Sequence, residues 1–310
     1  MIRNIDTYCT IILAIMEYPF PNDARDVINE AFPSIGAKVC TQLGEGWGSY
    51  VFDVDGAFIF KFPRNDSVFK GMTVEKNLLF ELKQFLSVSL PFHEYVSNGG
   101  KNPFMGYRKL PGVNITELPL NEGHAISISK VLARIYGEMR AFPVEIASER
   151  GVSVREGKDW KNTIERLFDE IRMHAFPSLG KKEMRAVQEL FDNFLKDSLN
   201  FEFDARLIHG DLTTDHVLFN FGFSDILGIV GWDDALIADP AMDFAWLHDV
   251  LPENLLLRTI IDSGYKEPSG MLKRSQFYHQ IVPLREIVHH NKEGNRKAAK
   301  ASIKRFSSLL

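Results

Sequence analysis

Residues 207–244 constrain the fold most, because short β-type runs alternate there with loops rich in carboxylates. The first loop carries Asp211 and, five residues later, His216, and a second β-type run ends in a turn that carries Asp233. Phosphoryl transfer needs a carboxylate that accepts a hydroxyl proton, and metal ligands that follow it on the loop and at the next strand end. The spacing therefore indicates a phosphoryl-transfer loop held by short strands.

A glycine-rich stretch precedes the first strand pair of the chain. Two β-type runs, 50–54 and 57–62, are joined by Asp55 and Gly56, a pair typical of a tight hairpin. Glycines at the entrance of a hairpin let backbone N–H groups approach phosphate oxygens, although the same spacing also fits a flexible turn. The candidate phosphate-binding residues are Gly44, Gly46, Gly48 and Ser49.

A lysine lies on a strand face that otherwise looks buried. Strand alternation places three phenylalanines of the run 57–62 on one face and Lys61 on the other. The helical pattern at 73–86 carries Glu75 near its start. Such a pair positions a lysine on nucleotide phosphates, but a solvated lysine and a helix-start glutamate would give the same pattern.

The helical part of the chain begins after a second predicted hairpin, 92–96 with 103–109. Proline and glycine follow it, which marks a change of direction, and we place a hinge at 108–112. We expect a nucleotide-binding lobe at 1–107 and a catalytic and substrate-binding lobe at 113–310. The hinge residues expected to face the nucleotide are Arg108, Lys109 and Leu110, and helices are predicted at 127–139, 160–173, 182–199 and near the C-terminus.

The amino-acid composition limits the classes of partner that we expect for the protein. A net charge of −5 argues against a nucleic-acid partner and mildly suits a cationic ligand. Two cysteines cannot form a disulfide framework, which fits a reducing cytoplasm. The apolar run at 9–16 is too short to span a bilayer and is interpreted as a buried helix. We therefore expect a cytoplasmic monomer with no membrane partner.

Three motifs resemble the aminoglycoside and macrolide phosphotransferases: residues 209–212, 228–235 and 239–243. The segment 58–64 is most similar to the branch that modifies the 2″ hydroxyl of aminoglycosides. The resemblance runs from about residue 44 to about residue 249. It implies an α+β fold of the protein-kinase type, with a small β-rich N-terminal lobe and a larger, mainly helical C-terminal lobe.

The resemblance also implies roles for individual residues. Asp211 would be the catalytic carboxylate, and His209 would brace its loop through backbone hydrogen bonds. Lys61 would hold the α and β phosphates of ATP or GTP, steadied by Glu75. Two further aspartates, Asp239 and Asp243, would be buried acceptors that tie the loop together.

Two departures from the family pattern concern Mg²⁺. His216 stands where the family usually has Asn, and Gly231 stands where it has Asp. An imidazole is a poor direct ligand for Mg²⁺, and Gly231 removes a bridging carboxylate. Asp233 is the candidate replacement ligand, and it is also open to interpretation as a solvated turn residue.

Carboxylates after the last motif suggest the substrate. By the resemblance, Asp249 and Glu253 would line a pocket for a cationic antibiotic, and Glu286 on a later helix could approach them; each also fits a solvated surface acid. The sequence thus predicts an ATP- or GTP-dependent phosphotransferase that acts on an aminoglycoside hydroxyl. Two alternatives stay open: a degenerate nucleotide-binding protein, or a kinase for a macrolide or other small alcohol.

Overall fold

The structure, a computed structural model, describes residues 21–45, 48–98, 103–117 and 120–310. The helix predicted at 9–16 and the candidate Gly46 lie outside these residues. The strands are β1 (Cys40–Glu45), β2 (Ser49–Val54), β3 (Phe58–Pro63), β4 (Tyr95–Ser97), β5 (Phe104–Arg108), β6 (Arg206–Ile208), β7 (Val217–Phe219), β8 (Ile226–Ile229) and β9 (Leu236–Ala238). The helices are α1 (Pro21–Ala31), α2 (Asp66–Leu82), α3 (Glu122–Ala141), α4 (Val144–Glu149), α5 (Gly157–His174), α6 (Lys181–Lys196), α7 (Glu253–Asp262), α8 (Pro268–Lys292) and α9 (Arg296–Ser308).

The chain divides into two compact units. The first comprises the chain up to Ser127 with Glu145–Val152 and Thr213–Ala235, and the second comprises Ile128–Val144, Ser153–Leu212 and Leu236–Leu310. The hairpin β7–β8 belongs to the first unit, and the expected lobes 1–107 and 113–310 stay a prediction. The hinge at 108–112 stays a prediction.

The first unit is built on a five-stranded antiparallel sheet with the order β1-β2-β3-β5-β4. Asp55 and Gly56 join β2 to β3 with φ angles of 55° and 68°, the conformation that the Asp-Gly pair predicts for a tight hairpin. Phe60 and Phe62 are buried in the core beneath α1, and Phe58 packs against the same core. Lys61 therefore lies on the opposite face, as strand alternation predicts.

Helix α2 follows β3 and carries the predicted glutamate. It begins at Asp66, seven residues before the predicted start at 73, because the side chain of Asn65 caps it by accepting the N–H of Val68 at 3.0 Å. The helix buries Leu78 and Leu82, and Glu75 is buried with them. The burial of Leu78 and Leu82 fits the predicted apolar periodicity, but the helix ends at Leu82 rather than at 86, so neither bound of the predicted helix matches.

The second unit is mainly helical. Helix α8 packs against α5, α7 and α9, and stacked rings of Phe194 and Phe277, 3.6 Å apart, lie in its core. The three helices predicted at 127–139, 160–173 and 182–199 correspond to α3, α5 and α6. The predicted last helix is α9, which buries Ala299 and Phe306. Among the described residues, no helix combines the length and the apolar composition needed to cross a bilayer.

A buried ion pair joins two segments of the second unit. Asp239 caps a 3-10 segment, Pro240–Asp249, by accepting the N–H of Ala241 at 3.1 Å. Its carboxylate also accepts two bonds from Arg274, at 2.7 and 3.2 Å, and one from Tyr278 at 2.8 Å. Asp239 is buried and is thus a fully satisfied structural acceptor, as the resemblance implies.

Candidate active site

Each compact unit carries a separate cluster of candidate residues. In the first unit, the Nζ atom of Lys61 lies 2.9 Å from Oδ1 of Asp233 and 3.4 Å from Oε2 of Glu75. The exposed fractions of the three side chains are 9%, 15% and 1% respectively. The pairing predicted for Lys61 and Glu75 is therefore present, and Asp233 is an additional and closer partner.

Glu75 is held by three donors at once. Its Oε2 atom contacts Nε2 of His93 at 3.0 Å as well as Lys61, and its Oε1 atom accepts the backbone N–H of Trp232 at 3.2 Å. His93 is buried, and its ring packs edge-on against Tyr107. Glu75 thus anchors the turn after β8 to helix α2, a role that the sequence alone does not indicate.

The pKa values in this cluster follow from burial and from the paired charges. Burial disfavours the ammonium form of Lys61, but the carboxylates of Asp233 and Glu75 outweigh this and raise its pKa above the usual range. Burial likewise disfavours the carboxylate of Glu75, but Lys61 and His93 lower its pKa below the usual range. Both residues therefore carry charge at neutral pH.

The glycine-rich stretch lies between β1 and β2. Gly44 is in β1 at an irregularity of register, and Gly48 accepts the N–H of Arg64 at 2.8 Å. Ser49 begins β2, and its buried Oγ atom has no hydrogen-bond partner among the described residues. The described part of the stretch leads into β2, and phosphate binding by these residues stays a prediction.

The hinge candidates contact the sheet of the first unit. The backbone N–H of Lys109 donates to Ala57 at 2.9 Å, and its ammonium group pairs with Asp53 at 2.6 Å. Arg108 ends β5 and lies over the ring of Phe58. Leu110 packs against Gly228: a Cβ atom on Gly228 would lie 2.9 Å from the side chain of Leu110. The N–H of Lys109 is therefore engaged within the sheet rather than available to a base, and the roles of Arg108 and Leu110 stay predictions.

In the second unit, Asp243 fixes the loop that carries Asp211. Its two carboxylate oxygens accept the backbone N–H groups of His209 and Gly210, at 2.7 and 3.0 Å. Gly210 adopts a φ of 82°, which favours glycine, and the half-buried Asp211 follows it. The backbone N–H of His209 thus contributes to holding this loop, and the catalytic roles of His209 and Asp211 stay predictions. Burial raises the pKa of Asp243 to about 7, against the opposing effect of the two N–H donors.

The donors around residue 231 do not fit the magnesium site that the resemblance implies. Gly231 supplies no carboxylate, and a Cβ atom there would lie 2.8 Å from the ring of His216. The Nδ1 atom of His216 lies 3.3 Å from Oγ1 of Thr213, and Asp233 pairs with Lys61. Within the described ranges, no three His, Cys, Asp or Glu side chains gather where they could hold a metal. Metal binding by His216 and Asp233 stays a prediction.

The structure brings together two of the three residues predicted to bind the substrate. Asp249 and Glu286 both pair with Arg305 of α9, each at 2.9 Å. Asp249 also contacts Nε2 of His279 at 2.9 Å; burial raises the pKa of Asp249, but His279 and Arg305 together lower it below the usual range. Glu253 is exposed at the start of α7. The sequence analysis did not identify Arg305 as a partner of these carboxylates, because it lies 56 residues after Asp249.

Comparisons with known proteins identify the family of the chain. Residues 39–271 match the phosphotransferase enzyme family. A viomycin phosphotransferase from Streptomyces vinaceus is 24% identical over 225 residues, which cover 69% of this chain and 75% of that protein.

Solved structures show the same fold. The GDP and kanamycin complex of an aminoglycoside phosphotransferase, APH(2")-IIIa, aligns with a TM-score of 0.82 and 24% identity, over 93% of this chain and 98% of the other. A macrolide 2'-phosphotransferase from Brachybacterium faecium aligns with a TM-score of 0.68 and 17% identity, over 91% of this chain and 97% of the other. At these identities the structural likeness establishes the kinase-like fold.

Proposed function

The chain belongs to the phosphotransferase enzyme family, and from that membership we propose that it transfers a phosphoryl group from ATP or GTP to a hydroxyl of an aminoglycoside antibiotic. Such a transfer would confer resistance on a cell that contains the protein. We propose further that it acts as a cytoplasmic monomer, with the nucleotide and a cationic small molecule as its ligands.

The buried ion pairs of Lys61 are the observation that carries the proposal. Burying an ammonium group on a sheet face is costly unless anions compensate it, and Asp233 and Glu75 do so at 2.9 and 3.4 Å. A lysine at this place, steadied by a glutamate of the next helix, is suited to hold nucleotide phosphates. The unpartnered Oγ of Ser49, at the end of the glycine-rich stretch, is consistent with a phosphate nearby.

Asp211 is the proposed proton acceptor. Its carboxylate would take the proton of the acceptor hydroxyl as the hydroxyl oxygen bonds to the γ-phosphorus, and the bond from that phosphorus to the β–γ bridging oxygen would break. The nucleoside diphosphate leaves with the electron pair. Asp243 supports this role because it orders the backbone directly before Asp211. Magnesium usually offsets phosphate charge in such reactions, but we assign it no step here because the donors do not fit.

The names of the relatives support an antibiotic as the acceptor. One relative is a viomycin phosphotransferase, and one solved structure contains kanamycin. Asp249 and Glu286, which meet at one place in the second unit, are groups that would attract a polyamine. We therefore favour a cationic antibiotic over a neutral one.

Two specific observations favour the alternatives. Arg305 already neutralises Asp249 and Glu286, which suits a less cationic acceptor such as a macrolide or another small alcohol. The ring of His216, which fills the side-chain space of Gly231, suits a nucleotide-binding protein with little turnover. Direct assay of transfer distinguishes these functions.

The test is phosphoryl transfer by the purified chain. ATP or GTP is supplied with magnesium and, in separate reactions, kanamycin, viomycin or a macrolide, and phosphorylated product is detected by mass spectrometry. We expect product with at least one cationic antibiotic, and a loss of roughly 10²- to 10⁴-fold in rate for Asp211→Asn. Product with the macrolide alone would select the first alternative. Nucleotide binding without product would select the second, and absence of both binding and transfer would contradict the proposal.

A further inference from the structure

Asp233 and Glu75 share the ammonium group of Lys61, but they are not equivalent partners. Glu75 is also held by His93 and by the backbone N–H of Trp232, and its side chain is 1% exposed. Asp233 has the shorter contact to Lys61, and its side chain is 15% exposed. Glu75 is therefore the fixed partner of the lysine, whereas Asp233 lies at the edge of the buried cluster.

The backbone around Asp233 explains how its carboxylate reaches the lysine. Gly231 adopts a left-handed conformation, with φ 84° and ψ 39°, and a short 3-10 helix, Trp232–Asp234, follows it. Because Trp232 donates its N–H to Glu75, the start of this 3-10 helix is fixed against α2. Asp233 is the next residue, and its Oδ1 atom lies 2.9 Å from Nζ of Lys61.

An ammonium group has three protons, and two carboxylates already contact that of Lys61. A phosphate that approaches Nζ would meet the negative charge of Asp233 in a site where solvent screens charge weakly. Phosphate and Asp233 are therefore alternative partners for the same ammonium group, unless another cation separates them.

From this geometry we propose that Asp233 is an internal competitor of the nucleotide, whose carboxylate must leave Lys61 before a phosphate can bind there. The inference rests on the proposed function for the identity of the ligand. It assigns Asp233 a role as a positioning residue that lowers nucleotide affinity. If Asp233 were instead a metal ligand, its replacement would have the opposite effect on nucleotide affinity, because loss of the ligand would weaken binding when magnesium is present.

The experiment measures GDP and ADP binding by calorimetry to the parent and to Asp233→Asn, first with EDTA and then with magnesium. Glu30→Gln is the control, because it removes a carboxylate from an exposed position on α1 of the first unit. Asp233→Ala serves as a second variant, and the thermal midpoint of each protein checks that it is folded.

Without metal, we expect Asp233→Asn to bind nucleotide roughly tenfold more tightly than the parent, on the scale of one charge-assisted hydrogen bond. Glu30→Gln should bind like the parent. If both Asp233 variants bind nucleotide in EDTA only as tightly as the parent or more weakly, the proposal is overturned. If they bind more weakly than the parent only when magnesium is present, Asp233 is a metal ligand instead.

The same binding measurements distinguish failure of the proposed function from failure of the competition between Asp233 and the nucleotide. If the parent does not bind nucleotide but Asp233→Asn does, the competition is supported, and the parent is not an active kinase. If neither protein binds, both proposals are overturned, because a Lys61 released from Asp233 should accept a phosphate. Binding by the parent with no gain in the variants overturns only the competition.

Discussion

The ring of His216 fills the space that a side chain on Gly231 would need. A Cβ atom on residue 231 would lie 2.8 Å from both Cδ2 and Nε2 of the imidazole, closer than real Cβ contacts. The φ of Gly231 is 84°, a conformation that other residues adopt at a cost. The two departures from the family pattern, one at each position, are therefore complementary in shape.

This relationship makes Gly231→Asp unfavourable by itself. We expect the variant to lose roughly 1–3 kcal/mol of unfolding free energy, from the left-handed backbone and the contact with His216. The double variant His216→Asn, Gly231→Asp should regain part of that loss, because asparagine is smaller than histidine. If the single variant matches the parent in a urea titration, the ring has room to move and the complementarity is refuted.

The same double variant tests what residue 231 contributes to turnover. A carboxylate there would supply the charge stabilisation that glycine lacks, and we expect phosphoryl transfer to rise by roughly 10²-fold or more. Nucleotide affinity measured without metal should change little, because binding also uses Lys61. The rate is measured in magnesium with saturating nucleotide, and His216→Asn is the control. An unchanged rate would indicate that residue 231 does not limit transfer.

Replacement of Lys61 should weaken nucleotide binding. We expect Lys61→Ala to lower the affinity for GDP or ADP by roughly 10-fold or more, the scale of one charge-assisted hydrogen bond. The change also removes the cation that compensates the charges of Glu75 and Asp233, so the unfolding free energy should fall by roughly 3–5 kcal/mol. Calorimetry measures the affinity at a temperature where the variant is folded. Unchanged affinity would remove Lys61 from the nucleotide site.

The raised pKa of Asp243 predicts a pH dependence of stability. Between the ordinary pKa of 3.8 and about 7, the folded protein keeps a proton that the unfolded chain has released. This contribution to stability is therefore complete below pH 3.8 and is lost as the pH rises towards 7. Urea titrations from pH 4 to 8 should show this fall in the parent. Asp243→Asn should remove the fall while lowering stability overall, because asparagine has one acceptor oxygen for two N–H groups; an unaltered pH profile would contradict the assignment.

Arg305 should compete with a cationic ligand for Asp249 and Glu286. We expect Arg305→Gln to raise the affinity for kanamycin by roughly two- to fivefold at low salt. The effect should be no larger, because the free energy of a partly exposed ion pair is small. Salt should reduce the difference because it screens exposed charges. Lys304→Gln, which removes the same charge from an exposed neighbour, is the control. Equal affinities for the two variants would place the antibiotic elsewhere.

The hairpin β2–β3 of the first sheet could be predicted from sequence because its signals are local, whereas strand β1 was not predicted. The Asp-Gly turn and the alternation in β3 each depend on a few adjacent residues, and both agree with the structure. The pairing of Lys61 with Glu75 could be predicted for a similar reason, since 14 residues separate them and a strand and a helix set their orientation.

Other contacts could not be predicted because they join distant parts of the chain. Asp233 reaches Lys61 across 172 residues, and Arg305 reaches Asp249 across 56. The contact of His93 with Glu75 could not be predicted, because the sequence shows His93 only as one polar residue after an apolar run. The start of α2 was missed because its cap, Asn65, lies outside the apolar periodicity that indicates the helix.

The contact between Asp243 and the backbone of His209 has a consequence for the order of folding. The two residues are 34 positions apart, so the loop before Asp211 gains its acceptors only after the intervening chain has closed. Contacts of that separation form late relative to hairpins such as β2–β3. In a refolding experiment, recovery of phosphoryl transfer should therefore lag behind formation of the first sheet, and the loop before Asp211 would be ordered only in chains whose second unit has reached its final packing.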